Sequence, residues 1–184
     1  TAIKHKLKET IFRRAVKSDI KKLVIGSSGL CQEGWLASEQ YFLDILRLKD
    51  WEKYFRVNSI DAILAEHVWE HLTPEQGIEA AKNCFKYLKP NGYMRIAVPD
   101  GNFPDEKYIN NVKPGGLGAG AEDHKVLYTT ESLSELFHQA GFDIKLLEYF
   151  DEAGQFHYED WSPEAGMIHR SKRFDQRNKD SLVY

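Results

Sequence analysis

Ser59-Ile60-Asp61-Ala62-Ile63-Leu64-Ala65-Glu66-His67-Val68-Trp69-Glu70-His71-Leu72 opens the stretch that decides the fold, and Phe85-Lys86-Tyr87-Leu88-Lys89-Pro90-Asn91-Gly92-Tyr93-Met94-Arg95-Ile96-Ala97-Val98-Pro99-Asp100 closes it. Residues 60–65, IDAILA, are a short apolar run of the kind found in an interior parallel strand. A helix over 74–88 follows. Thr73 is its N-cap, Pro74 takes the first helical position, and Gln76 completes a capping box. Ile78, Ala81, Phe85 and Leu88 make one apolar stripe. Pro90 and Asn91-Gly92 stop the helix, and Tyr93–Val98 reads as the next strand.

Working outward, residues 4–18 read as an amphipathic helix with Leu7, Ile11 and Ala15 at helical spacing. Residues 22–26, KLVIG, read as a buried strand running into the tight turn Gly26-Ser27-Ser28-Gly29. Further strands are expected at Trp35–Ser38 and near Phe42–Leu46, with a helix over 47–55. Residues 101–128 read as one long Gly/Pro/Asn-rich loop, a mobile cover over an acceptor site. Thr129 or Thr130 caps a helix carrying Leu133, Leu136, Phe137 and Ala140, with Gly141 just past its end. Residues 142–150 read as a strand, followed by a hairpin and an irregular tail. Strands alternating with helices predict an α/β fold. The expected architecture is a Rossmann-like three-layer sandwich with a mostly parallel sheet, in a single domain with its core at about 22–150 and a tail over 151–184. Only eight residues separate Gly26 from Trp35. A parallel crossover usually takes a dozen or more, so the first crossover helix is expected to be reduced. The last strand of the sheet is expected either in 156–169 or at Ser181-Leu182-Val183-Tyr184 and beyond.

Composition narrows the function classes. The chain has 184 residues, 42% of them hydrophobic, and a net charge of -3, which gives no global pull toward nucleic acid or an anionic membrane. The first 22 residues hold eight Lys/Arg against two acids, which reads as a solvated helix face. Cys31 and Cys84 form no CxxC motif, so a reducing, cytoplasmic home is expected. No apolar run is long enough to span a membrane. TAIKHKLKET lacks the apolar core of a signal peptide and an initiator Met, so the chain reads as trimmed.

In a mostly parallel sheet, ligands bind beyond the carboxyl ends of the strands. That directs attention to Gly26, Ser27 and Gly29, whose small side chains let a ligand approach the backbone. Glu39 follows the second strand, where an ionised carboxylate can accept from a ribose diol. Glu66 and His67 end the strand at 60–65. His67-Val68-Trp69-Glu70-His71 also matches HxxEH, an inverted zinc-protease pattern. That pattern needs one uninterrupted helix, whereas a strand runs into His67 and a new helix starts at Pro74. No metal ligand is therefore assigned, and Glu70-His71 reads as local hydrogen bonding. His124, beside acids at the end of the glycine-rich loop, is a candidate general base, as is His67. A nicotinamide dehydrogenase is disfavoured because Gly-Ser-Ser-Gly lacks the GxGxxG spacing.

These segments together resemble class I S-adenosylmethionine-dependent methyltransferases of the type-11 kind. That family shows a strand, an EHxLEHL-like stretch, a helix, then LKPGG leading into an apolar strand ending in Pro-Asp or Pro-Asn. The likeness covers about 22–150. Gly34-Trp35-Leu36-Ala37-Ser38-Glu39 and Asp123-His124-Lys125-Val126-Leu127-Tyr128 are similar to segments of the predicted bacterial members. The resemblance implies S-adenosylmethionine as cofactor. It places Gly26, Ser27 and Gly29 beside the methionine part, Glu39 on the ribose hydroxyls, Asp44 and Ile45 by the adenine, and Glu66 and His67 facing the site. The activity it implies is methyl transfer to a small-molecule or glycan acceptor, with no nucleic-acid or membrane partner and no indication of oligomeric state. The alternative is a non-catalytic domain that keeps the fold, supported by the shortened first crossover.

Overall fold

The computed structural model describes residues 2–17, 21–29 and 31–175. They form two compact units: the residues up to Glu66 together with Lys82–Ile96, and His67–Ala81 together with the residues from Ala97 onward.

The first unit holds a four-stranded sheet in the order β2-β1-β3-β4, with β1 at Lys22–Ile25, β2 at Leu36–Ala37, β3 at Ile60–Glu66 and β4 at Leu88–Ala97. β1 runs parallel to both neighbours, with Leu23 opposite Leu36 on one side and Ile63 on the other. The mostly parallel α/β architecture is thus as the sequence predicts. The reduced crossover is present too: between Gly26 and Trp35 the described residues make turns and no helix. Ser38 extends the short β1–β2 pairing. Its backbone N–H and its hydroxyl both donate to the Val24 carbonyl, at 2.9 and 2.8 Å, and its own carbonyl accepts from Ser27 N–H at 2.9 Å.

Helix α1, Ala2–Ala15, carries Arg13 and Arg14 in its last turn, where cations complement the helix dipole. It docks through Phe12, whose ring lies 5.0 Å from Phe42 and 5.1 Å from Tyr54. Glu9 ties it further: one carboxylate oxygen accepts from Lys53 at 2.7 Å, Tyr54 at 2.8 Å and Arg13 at 3.0 Å. Helix α2, Leu48–Tyr54, buries Trp51 completely. The Trp51 indole stacks on Tyr87 at 5.1 Å and donates to the Ile45 carbonyl at 3.0 Å.

Two expectations for this unit need correction. Residues 42–46 form turns and irregular backbone, not a strand. The N–H groups of Phe42 and Leu43 donate to the Glu39 carbonyl, and Leu46 N–H donates to the Asp44 carboxylate, so the donors a strand would offer a neighbour are used locally. β4 begins at Leu88 rather than Tyr93, because Asn58 and Ser59 donate to the carbonyls of Lys86 and Tyr87 and start the pairing early. Gly92 permits this path: a Cβ there would lie 2.9 Å from the Lys89 carbonyl oxygen.

Helix α3, Pro74–Tyr87, starts in the second unit with the predicted reciprocal cap: Thr73 N–H donates to Gln76 at 3.0 Å, and Gln76 N–H to Thr73 Oγ1 at 3.3 Å. Residues 101–128 are not one structureless loop. They carry α4, Glu106–Val112, whose N-cap Asp105 accepts from Lys107 N–H at 2.8 Å, and a 3-10 turn at Ala121–Asp123. Helix α5, Thr130–Gln139, is capped by Thr129 in exchange with Ser132. Only Glu148–Phe150 of the 142–150 segment is strand, β5, which pairs antiparallel with β6, Phe156–Tyr158, in a separate two-stranded sheet. The expected strand at Ser181–Tyr184 lies outside the described residues. Among those residues no helix is long and apolar enough to cross a membrane.

Trp51→Ala should lower unfolding free energy by about 3–5 kcal/mol, read from the urea midpoint, with Trp51→Phe losing less because most of the buried ring survives. The three donors around Glu9, led by Lys53, hold its pKa to about 2, below the ordinary 4.5. Its stabilising contribution is therefore present above pH 4.5 and lost as the pH falls toward 2. Melting temperatures taken across that window should fall more steeply in the parent chain than in Glu9→Gln.

Candidate functional site

The carboxyl ends of β1 and β2 lie side by side and bring four sequence-predicted residues together. Gly26 and Gly29 both adopt left-handed backbone, at φ 62° and 88°, which glycine accepts without a Cβ penalty. A Cβ built at Gly29 would meet nothing within 4 Å, so the turn borders open space. Ser27 is buried. Its hydroxyl donates to Glu39 Oε1 at 3.1 Å and accepts from Gly29 N–H at 3.3 Å, linking the glycine turn to the carboxylate. Lys8 of α1 donates to the same oxygen at 3.0 Å. Lys8 was not singled out from the sequence, although the basic face of its helix was visible there.

Asp44 and Ile45 have structural work in the turn after β2. Asp44 accepts from Leu46 N–H at 3.0 Å and pairs with Arg47 at 3.4 Å. The Ile45 carbonyl accepts from Trp51 and from the buried Asn83, at 3.0 and 2.9 Å, while its side chain is in the core. A cleft of about 750 Å³ in the same unit is lined by Arg13, Arg14, Lys17, Lys21, Lys53 and Arg56 among others, and by none of the predicted site residues.

The second unit holds a cluster built on Glu70. The chain leaves β3 at Glu66, and His67 adopts φ 56°, a strained conformation for a residue with a side chain. Its N–H donates to the Ala97 carbonyl at 2.9 Å, and its Nδ1 lies 2.8 Å from Glu70 Oε1. Glu70 is 1% exposed, and its Oε2 is buried with no hydrogen-bond partner. The Tyr128 hydroxyl is likewise buried and unpartnered, and burial, reinforced by the Glu70 charge, pushes its pKa up to about 12. His71 meets His124 edge to face with ring centres 4.8 Å apart. His124 Nδ1 sits 2.6 Å from the Val112 carbonyl, which can only accept, so Nδ1 carries a proton and in the neutral ring the lone pair is on Nε2. Ligand atoms of Glu70, His71 and His124 all lie within 4.8 Å of one another.

Thus His67 and His124, predicted separately, belong to one cluster joined by Glu70 and His71. Sequence reasoning did not give those two a shared role with His124. The signal was the HxxEH stretch, but its partner lies 53 residues downstream of His71. The uninterrupted helix that a zinc protease needs is not formed: a 3-10 turn spans Trp69–His71, and α3 starts at Pro74.

Residues 11–147 match the family model described as a methyltransferase domain. No curated protein matches the sequence. Among solved structures, a SAM dependent methyltransferase from Archaeoglobus fulgidus is similar, with 19% identity, a TM-score of 0.50, and coverage of 88% of this chain and 78% of that one. Phosphoethanolamine N-methyltransferase 2 from Haemonchus contortus, in complex with S-adenosyl-L-methionine, is 16% identical at a TM-score of 0.41, over 74% of this chain and 36% of that one.

His124 should show the Nδ1–H tautomer in its neutral form, with a protonated-type Nδ1 and a lone-pair-type Nε2 in long-range nitrogen-15 correlation spectra. The reverse pattern would refute the Val112 hydrogen bond.

Proposed function

The chain belongs to the methyltransferase domain family, and from that premise we propose that it transfers the methyl group of S-adenosylmethionine to a small-molecule or glycan acceptor. The sulfonium of that cofactor makes its methyl group a reactive electrophile, so the protein's main task is to hold and align.

The observation that carries this reading is the Ser27–Glu39 hydrogen bond. It couples the turn after β1 to a carboxylate beyond β2, at the sheet edge where parallel α/β folds bind ligands. Ser27 and Lys8 both donate to Oε1 of Glu39. Oε2 can then accept from a ribose hydroxyl, while Lys8 and Ser27 hold the carboxylate in place. Gly26 and Gly29 keep the turn open to the methionine part of the cofactor. Asp44 and Ile45, in the turn after Glu39, are the residues assigned to the adenine. Cys31 and Cys84 are both unpaired thiols, which supports a reducing, cytoplasmic location.

A second reading, a binding domain without turnover, is favoured by one observation: the described residues between β1 and β2 contain no helix. The cofactor carboxylate would lack the helix N-terminus that usually favours an anion. Calorimetry separates the readings from failure of both. Glu39→Ala should weaken S-adenosylmethionine binding by about 1.5–3 kcal/mol, the range for a hydrogen bond to a charged group, with far-UV circular dichroism unchanged. Unchanged affinity would reject the Glu39 assignment. Binding by the parent chain with no turnover across oxygen and nitrogen acceptors would select the second reading.

A further inference from the structure

The geometry points to a divalent transition-metal site in the second unit, formed by Glu70, His71 and His124.

Three observations carry it. First, the ligand atoms converge, all within 4.8 Å of one another, although His124 is remote in sequence from the other two. Second, Glu70 Oε2 is buried and has no hydrogen-bond partner. Buried polar atoms are nearly always paired, and an unpaired carboxylate oxygen is especially costly. Glu70 Oε1 is already engaged by His67 Nδ1, so the orphan is the oxygen left for a cation. Third, His124 is arranged as metal-binding histidines are. Its Nδ1–H donates to the Val112 carbonyl, which fixes the neutral tautomer and leaves the Nε2 lone pair to ligate a metal. His67 plays the matching part for the carboxylate by holding Glu70 from behind. His124, a candidate general base on the sequence alone, is here assigned to a cation.

The donor set selects the class of ion. Two imidazoles and one carboxylate suit borderline ions such as Zn²⁺ better than Mg²⁺ or Ca²⁺, which prefer all-oxygen shells. Three protein ligands leave a fourth position for water or another oxygen donor. Bonds near 2.1 Å would put tetrahedral ligands about 3.4 Å apart, so the widest pair must close by about 1.4 Å. His71 and His124 are only half-buried, and rotation of their side chains can supply that movement.

Co²⁺ titration of the EDTA-treated full chain tests the site, followed by visible absorption, with Zn²⁺ as competitor. One equivalent should bind with the spectrum of a histidine-ligated, low-coordinate ion, and Zn²⁺ should displace it. His71→Ala, His124→Ala and the isosteric Glu70→Gln should each weaken binding at least about 100-fold, beyond the roughly 10- to 100-fold typical of supporting residues. His138→Ala, an exposed histidine outside the cluster, should bind as the parent does. Absence of saturable binding in the parent chain would overturn the site. So would parent-like binding in any one of the three cluster variants that keeps its fold by circular dichroism.

Discussion

The first unit depends on β3 being buried. Ile60, Ala62, Ile63, Leu64 and Ala65 are all in the core, and only Asp61 and Glu66 reach partial exposure. A strand enclosed in this way must find partners on both edges, because buried peptide groups left unpaired cost as much as lost hydrogen bonds. β1 takes one edge and β4 the other. Asp61 pins the entry to this arrangement, with one oxygen 2.8 Å from Lys21 N and the other 2.7 Å from Lys89 Nζ. Once β1 is aligned parallel to β3, its carboxyl end is placed, and with it the Gly26–Gly29 turn. Ser38 continues the β1–β2 pairing to Glu39. The Ser27–Glu39 contact is therefore a consequence of strand pairing, not an isolated surface interaction.

Asp100 has a comparable organising role in the second unit. Its carboxylate accepts from Asn102 N–H at 2.9 Å and Phe150 N–H at 2.8 Å, joining the segment after β4 to the β5–β6 hairpin. Burial raises its pKa, partly offset by those two hydrogen bonds. Glu70 differs because it keeps one oxygen without a protein donor. The half-buried Asp100 has a donor on each oxygen and the buried Glu70 has one on Oε1 alone, which distinguishes a structural acid from a candidate ligand.

Local signals were legible in the sequence, and long-range ones were not. The apolar run of β3 and the Thr73–Gln76 cap could be read because each is encoded within a few residues. Helix α4 was missed despite its Pro104-Asp105-Glu106 start, because the surrounding glycines and asparagines dominated the reading of 101–128. The 42–46 error has the opposite cause: apolar content suggested a strand, but Asp44 and the Glu39 carbonyl take the local N–H groups. Gly26, Ser27 and Gly29 follow β1 and Glu39 follows β2, positions that the short apolar runs before them made legible. Lys8 on Glu39, and His124 beside His71, depend on tertiary proximity that no short-range pattern contains.

Two-dimensional amide NMR with S-adenosylmethionine locates the bound cofactor without an acceptor. Saturable shifts should centre on Gly26, Ser27, Gly29 and Glu39, with the amides lining the cationic cleft near Arg14 and Arg56 unmoved. Saturable shifts confined to that cleft, or none at cofactor concentrations that saturate related enzymes, would contradict it.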